Sequence, residues 1–180
     1  VKQALLKEPD ESLGAFLAKA AKNSFRPALM KLAIPLGLEV YLGIRRSAPR
    51  TPNVSAELAP VAERLCNLIR EFTYQFKVMS KRYDVKLLER QAVQARLAEV
   101  ALYLHAWACT LGKLDRDIRR HAGNGAGDLE FARDRAAAMY FFDLAELEIH
   151  TKFRNLYEQA DDTMLAAAAA LRAHSDSLPN

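Results

Sequence analysis

From Ser55 onward, apolar side chains return every third or fourth residue: Leu58, Val61, Leu65, Leu68, Phe72, Phe76, Met79 and Tyr83. That spacing lines them along one side of a long helix. A second stripe runs through Val93, Leu97, Val100, Leu104, Ala108, Leu111, Leu114 and Ile118 to the turn Gly123-Asn-Gly-Ala-Gly127. It predicts a rod of roughly 45 Å at about 1.5 Å per residue. Asp128 is placed to cap a third long helix through about Tyr157, whose face carries Ala138, Phe142, Ala145, Ile149, Phe153 and Leu156. Asp161 and Asp162 open a last helix whose five alanines, Ala166 to Ala170, offer helix propensity and close approach rather than volume.

Ahead of these, Asp10 can cap a short helix to about Lys22 with Leu13, Phe16, Leu17 and Ala20 on one face. Residues 46–55 read as an extended linker, because Pro49 and Pro52 remove backbone donors and bias their predecessors away from helix. The chain therefore divides into an N-terminal helix, apolar segment and linker over residues 1–53 and a helical bundle over 54–180. Long helices joined by short turns pack antiparallel. The expected class is all-α: an up-and-down bundle of three long helices plus shorter N- and C-terminal helices, with Phe72, Phe76, Leu97, Leu104, Phe142 and Ile149 inside.

One segment breaks the amphipathic pattern. Between Pro27 and Ile44, Leu29, Leu32, Ile34, Leu36, Leu38, Val40, Leu42 and Ile44 are aliphatic, and from Ile34 on they fall at every second residue. That is a strand period with no second strand to pair with, and a helix starting near Pro35 is equally compatible. Arg26, Lys31, Arg45 and Arg46 flank the segment, as they would one lying at an anionic surface. These eight residues form the candidate docking segment, packing either on the bundle or a preceding domain, on a second copy, or on a membrane surface.

Composition narrows the picture further. With 51% apolar and 27% charged residues the chain can bury a core. No signal-peptide pattern opens it, and Lys31 and Glu39 interrupt the best apolar run, so a cytoplasmic protein peripheral at most to a membrane is expected. It opens on Val1, as a fragment of a longer protein does. The net charge of +4 is spread along the chain, too diffuse for nucleic acid. Cys66 and Cys109 fall at apolar helical positions and read as reduced core thiols.

Candidate chemistry fails on spacing. A di-metal carboxylate bundle needs Glu-x-x-His, whereas Glu146 and His150 stand four apart, and neither His105, His121 nor His174 has a Glu three residues before it. Cys109 lies one turn past His105 without a family cysteine motif, and the glycines at 123, 125 and 127 follow a helix and lack the GK[ST] of a phosphate loop. The run Lys113-Leu-Asp-Arg-Asp-Ile-Arg-Arg120 suits intrahelical ion pairs on a solvated face. No catalytic, cofactor-binding or metal residue is assigned.

Residues 72–114 carry a pattern beyond periodicity: Phe72, Gln91, Arg96-Leu97-Ala98-Glu99, Ala101-Leu102, Leu104, Ala106 and Leu111-Gly112-Lys113. The order and spacing resemble the extra C-terminal helical domain of very-long-chain-type acyl-CoA dehydrogenases, and helices of similar order and length extend the likeness over residues 10–175. Glu99 stands where that family has Asp, Gly112-Lys113 where it has Ser-Arg, and His105-Ala106 where it has Tyr-Ala. The resemblance implies a parent enzyme of fatty acid metabolism that is an FAD-dependent oxidoreductase, with its flavin and its Tyr-Glu-Gly-Thr-like glutamate loop in preceding domains. It implies for this chain a non-catalytic role in homodimer assembly and docking at a surface or membrane. The preceding catalytic domain and a second copy would be its partners. The alternative is a free-standing helical module whose stripes bind a partner helix.

Overall fold

A computed structural model describes residues 27–51, 53–121 and 129–176; the expected helix after Asp10 and the turn at 123–127 lie outside them. Every regular element among the described residues is helical. The chain divides into two compact units, Val1–Arg46 and Ser47–Asn180. The first contains α1, Pro27–Leu42. In the second, a short 3-10 turn (Ala56–Leu58) leads into α2 (Ala59–Tyr83). A second 3-10 stretch (Asp84–Leu88) then precedes α3 (Gln91–His121), α4 (Leu129–Arg154) and α5 (Asp161–Asp176).

Each long helix begins and ends where local chemistry dictates. Pro60 sits in the first turn of α2, where its missing N–H has no intrahelical partner to lose. Lys81 and Arg82 then occupy the last turn, beside the negative end of the helix dipole. Asp84 stops the helix with φ +47°, a left-handed conformation that aspartate tolerates better than bulkier residues. Helix α3 likewise ends on Arg119, Arg120 and His121.

The three long helices run up, down and up. Ser55, before α2, bonds Asp115 late in α3, and Lys113 near the end of α3 pairs with Asp134 early in α4. Glu57 meets Arg135, so α2 and α4 start at the same end. Leu58, Val61, Leu65, Leu68 and Met79 from the first turn and α2 share one core with Val93, Leu97, Val100, Leu104, Leu111 and Leu114 from α3. Ala138, Phe142, Ala145, Ile149 and Phe153 of α4 complete the core, with Leu156 just beyond it. Trp107 is fully buried and stacks on Phe142, ring centroids 5.2 Å apart.

Several expected positions shift. Phe76 is 49% exposed, because Gln75 and Met79 take the inward places near the end of α2 and Phe72 is only half-buried. Gln75 is held there as acceptor for the Tyr157 hydroxyl and as donor to Glu71. Ala108 is exposed, since the buried line of α3 steps from Leu104 to Trp107 to Leu111. Cys66 is buried as expected, but Cys109 is exposed on the outer side of α3. Helix α4 stops at Arg154, three residues early. Helix α5 is exposed at every described residue after Asp161, so its alanines make no close approach to the bundle.

Replacing Leu104 or Phe142 with Asp is expected to unfold the second unit, since either would strand a carboxylate among apolar side chains against a typical stability of about 5–15 kcal/mol. Phe76→Asp is expected to leave thermal melting nearly unchanged. Circular dichroism melts of the three variants check both halves of this contrast.

Candidate docking segment and polar clamps

The strand-like alternation of residues 34–44 resolves as helix. Helix α1 starts at Pro27 and runs through Pro35 instead of beginning there. At about 3.6 residues per turn, aliphatic residues placed every second position go around the axis instead of lining one side. Ile34, Leu38, Tyr41 and Leu42 share a stripe, Leu36 lies on the far side, and all five are exposed, as is Ile44. Val40 is half-buried, and the side chains of Leu29 and Leu32 lie outside the described residues. Gly43, at φ +69°, ends the helix in a left-handed turn that returns the Ile44 N–H to the Leu38 carbonyl at 3.2 Å. Glu39 is buried, with Arg46 Nε 3.4 Å from its carboxylate. Exposed Lys31, Arg45 and Arg46 complete a helix that is apolar on its surface and basic at its margins.

In the second unit the charged residues act as clamps. Asp115 accepts bonds from the Ser55 hydroxyl (2.6 Å) and amide (2.7 Å) and from Arg119 Nε (2.9 Å). Arg119 also donates to the Asn53 carbonyl. The run 113–120 therefore does more than form the expected intrahelical pairs: it fastens the chain entering α2 to the end of α3. No local sequence signal marks this, because Ser55 and Asp115 are far apart along the chain. The Ser55 hydroxyl, then its amide, hold the Asp115 carboxyl below the usual carboxylate range.

At the other end, Arg96 grips Asp161 with two bonds of 2.7 Å and donates a third to Gln159 at 2.8 Å. Arg90 pairs with Asp162. The bidentate arginine lowers the Asp161 carboxyl below its ordinary range. Glu99 pairs with Lys152 of α4, while Leu97 enters the core. The Arg96-Leu97-Ala98-Glu99 motif is thus a brace, holding the end of α4 and the first turn of α5 against α3.

The candidate histidines and cysteines do not gather into one site. Glu146 is taken up by Arg64, whose Nη1 lies 2.7 Å from it and 3.0 Å from Asp143, and His150 stands 3.9 Å from the same carboxylate. His121 stacks on Phe131 with centroids 4.6 Å apart, and its Nδ1 is 2.8 Å from the Asp117 carbonyl. Cys109 Sγ lies 3.7 Å from His105 Nε2 on exposed surface, and Cys66 Sγ lies 3.9 Å from the Thr51 hydroxyl. Among the described residues no group of three or more His, Cys, Asp or Glu could hold a metal ion. A cleft of about 470 Å³ opens between α3 and α4, where Lys113 and Asp134 share its wall with Phe131 and Phe141. No described helix is long and apolar enough to cross a membrane.

Comparison with protein-family models, with curated proteins and with solved structures finds no match to this chain.

The clamps set a pH dependence. Both Asp115 and Asp161 have folded pKa values below their unfolded ones, so each contributes stability that is present above the unfolded carboxylate pKa of about 3.9 and lost as pH falls through the lower folded value. Melting temperature is expected to be flat from neutral pH to about pH 5 and to drop below about pH 4. Asp161→Asn should lower the neutral-pH melting temperature modestly and flatten that acid limb. An unchanged acid limb in both Asp161→Asn and Asp115→Asn would remove the clamps from the account.

Proposed function

We propose that this chain is the non-catalytic C-terminal helical domain of an FAD-dependent acyl-CoA dehydrogenase, serving assembly and docking at an anionic membrane surface. The identity of the parent rests on the resemblance over residues 72–114. In this reading Arg96 and Glu99 of the shared motif are bracing residues and Leu97 a core residue. The flavin and the catalytic glutamate belong to the preceding domains. All described elements here are helical, none forms the strand-turn-helix that binds a dinucleotide, and no residue is assigned to FAD.

The observation that carries the docking role is α1. An exposed stripe of Ile34, Leu38, Tyr41 and Leu42, bordered by Lys31, Arg45 and Arg46, is the arrangement of an interfacial helix. Its aliphatic side chains enter the acyl boundary while the cations meet lipid phosphates. A surface placed there keeps a long-chain acyl substrate close to the enzyme that consumes it.

The chain is expected to co-sediment with phosphatidylserine-containing vesicles more strongly than with neutral ones. Leu38→Asp with Leu42→Asp, both on the stripe, should weaken that binding at least about tenfold, given about 1.5–3 kcal/mol per buried leucine, while the bundle melts unchanged. A collapsed melt would return α1 to the core. For the parent, coding sequence ahead of Val1 should specify a Tyr-Glu-Gly-Thr-like loop; a sequence without one leaves the free-standing module.

A further inference from the structure

Helix α4 has two apolar faces. One is the core face, Ala138, Phe142, Ala145, Ile149 and Phe153. Half a turn away, Tyr140, Leu144 and Leu147 recur at intervals of four and three, all exposed, the tyrosine to 69% and Leu147 to 63%. Ala136 and Ala137 continue the stripe toward the N-terminus and are also exposed. A helix with one face in the core carries charge on the opposite face in an ordinary monomer. Here the charge is displaced to the margins, with Arg133 at one end and Glu148 at the other.

We propose that this outward face of α4 is a self-association surface, through which two copies pair antiparallel about a two-fold axis near residue 141. The proposal rests on the assembly part of the reading above and not on the identity of the parent enzyme. Its support is self-complementarity. In an isologous antiparallel pair, positions nearly equidistant from the axis on either side of it meet. Ala137 then faces Leu144 of the second copy, Ala136 faces Leu147, and Arg133 faces Glu148. Both small residues receive large ones, which lets the helices approach and interdigitate, and Arg133, held on its own helix by Glu130 and Asp134, stands opposite a residue of the other sign, Glu148. Each contact occurs twice by symmetry. A parallel pairing would set Arg133 on Arg133 and Glu148 on Glu148, and leucine on leucine with alanine on alanine, leaving a gap at one end.

Other occupants fit less well. Glu148 borders the face, and its one cation, Arg133, is already held by Glu130 and Asp134, so an anionic lipid surface finds little to attract it there, in contrast to the cations around α1.

The test is the mass of the 180-residue chain by analytical ultracentrifugation across a concentration series. A dimer is expected. Leu147→Asp is expected to give a monomer with helical content intact, since the residue is exposed. Arg133→Glu alone and Glu148→Arg alone each set like charges face to face twice and should weaken the dimer more than about tenfold. The double variant Arg133→Glu with Glu148→Arg should restore it. A parent chain that is monomeric throughout overturns the proposal. So does a dimer insensitive to these variants, and so does a double variant no tighter than the singles. Vesicle binding by the monomeric Leu147→Asp variant is read separately: its persistence leaves the membrane role of α1 standing whatever the mass shows.

Discussion

The stacking of Trp107 on Phe142 is the contact on which the second unit depends. These are the two largest fully buried side chains, one from α3 and one from α4. The Arg64 guanidinium of α2 closes over the indole 5.6 Å from its centroid while bonding Asp143 and Glu146 of α4. All three long helices therefore converge on one ring. The indole N–H meets no acceptor among the described residues, an unmade bond that costs about 1–3 kcal/mol. Burial of the ring offsets it, since truncating a buried aromatic typically loses about 3–5 kcal/mol. The cation above the ring adds its own attraction.

Around that centre, polar pairs fix the ends. Ser55 with Asp115 joins the entry of α2 to the close of α3, and Arg96 with Asp161 joins the start of α3 to the chain leaving α4. Hydrophobic packing tolerates axial sliding, whereas bidentate and charge-assisted bonds do not. The core thus supplies most of the stability and the clamps supply the register. Helix α5 lies beyond the second clamp, is gripped in its first turn by Arg96 and Arg90, and exposes Met164, Leu165 and Leu171.

How much of this the sequence disclosed follows from the reach of each interaction. Helical period is local, so the three long helices, their order and the buried rows through Leu97, Leu104, Phe142 and Ile149 were legible. The choice between adjacent residues was not. Trp107 instead of Ala108, and Gln75 instead of Phe76, face inward because of remote partners, Phe142 on α4 and Tyr157 just past its end. The alternation in residues 34–44 was ambiguous for a physical reason: without a polar face, period alone does not separate a helix apolar all round from a strand. Five of the six described side chains of the candidate docking segment lie on the surface, while the outward stripe of α4 was hidden behind a stronger core pattern on the same helix. The clamps join residues remote in sequence and have no local signature.

What unites these features is a cooperative three-helix unit built on Trp107, with α5 outside it. Native-state hydrogen exchange tests this most directly, because it reads the opening free energy of each segment. Amides from Val61 to Met79, from Leu97 to Leu114 and from Ala138 to Phe153 should share one highest level of protection and lose it together in Trp107→Ala. Amides of α5 beyond its first turn should exchange much faster, as in an isolated helix of marginal stability. Protection of α5 equal to that of α3, or an α2 that opens independently of the other two helices, would contradict the account.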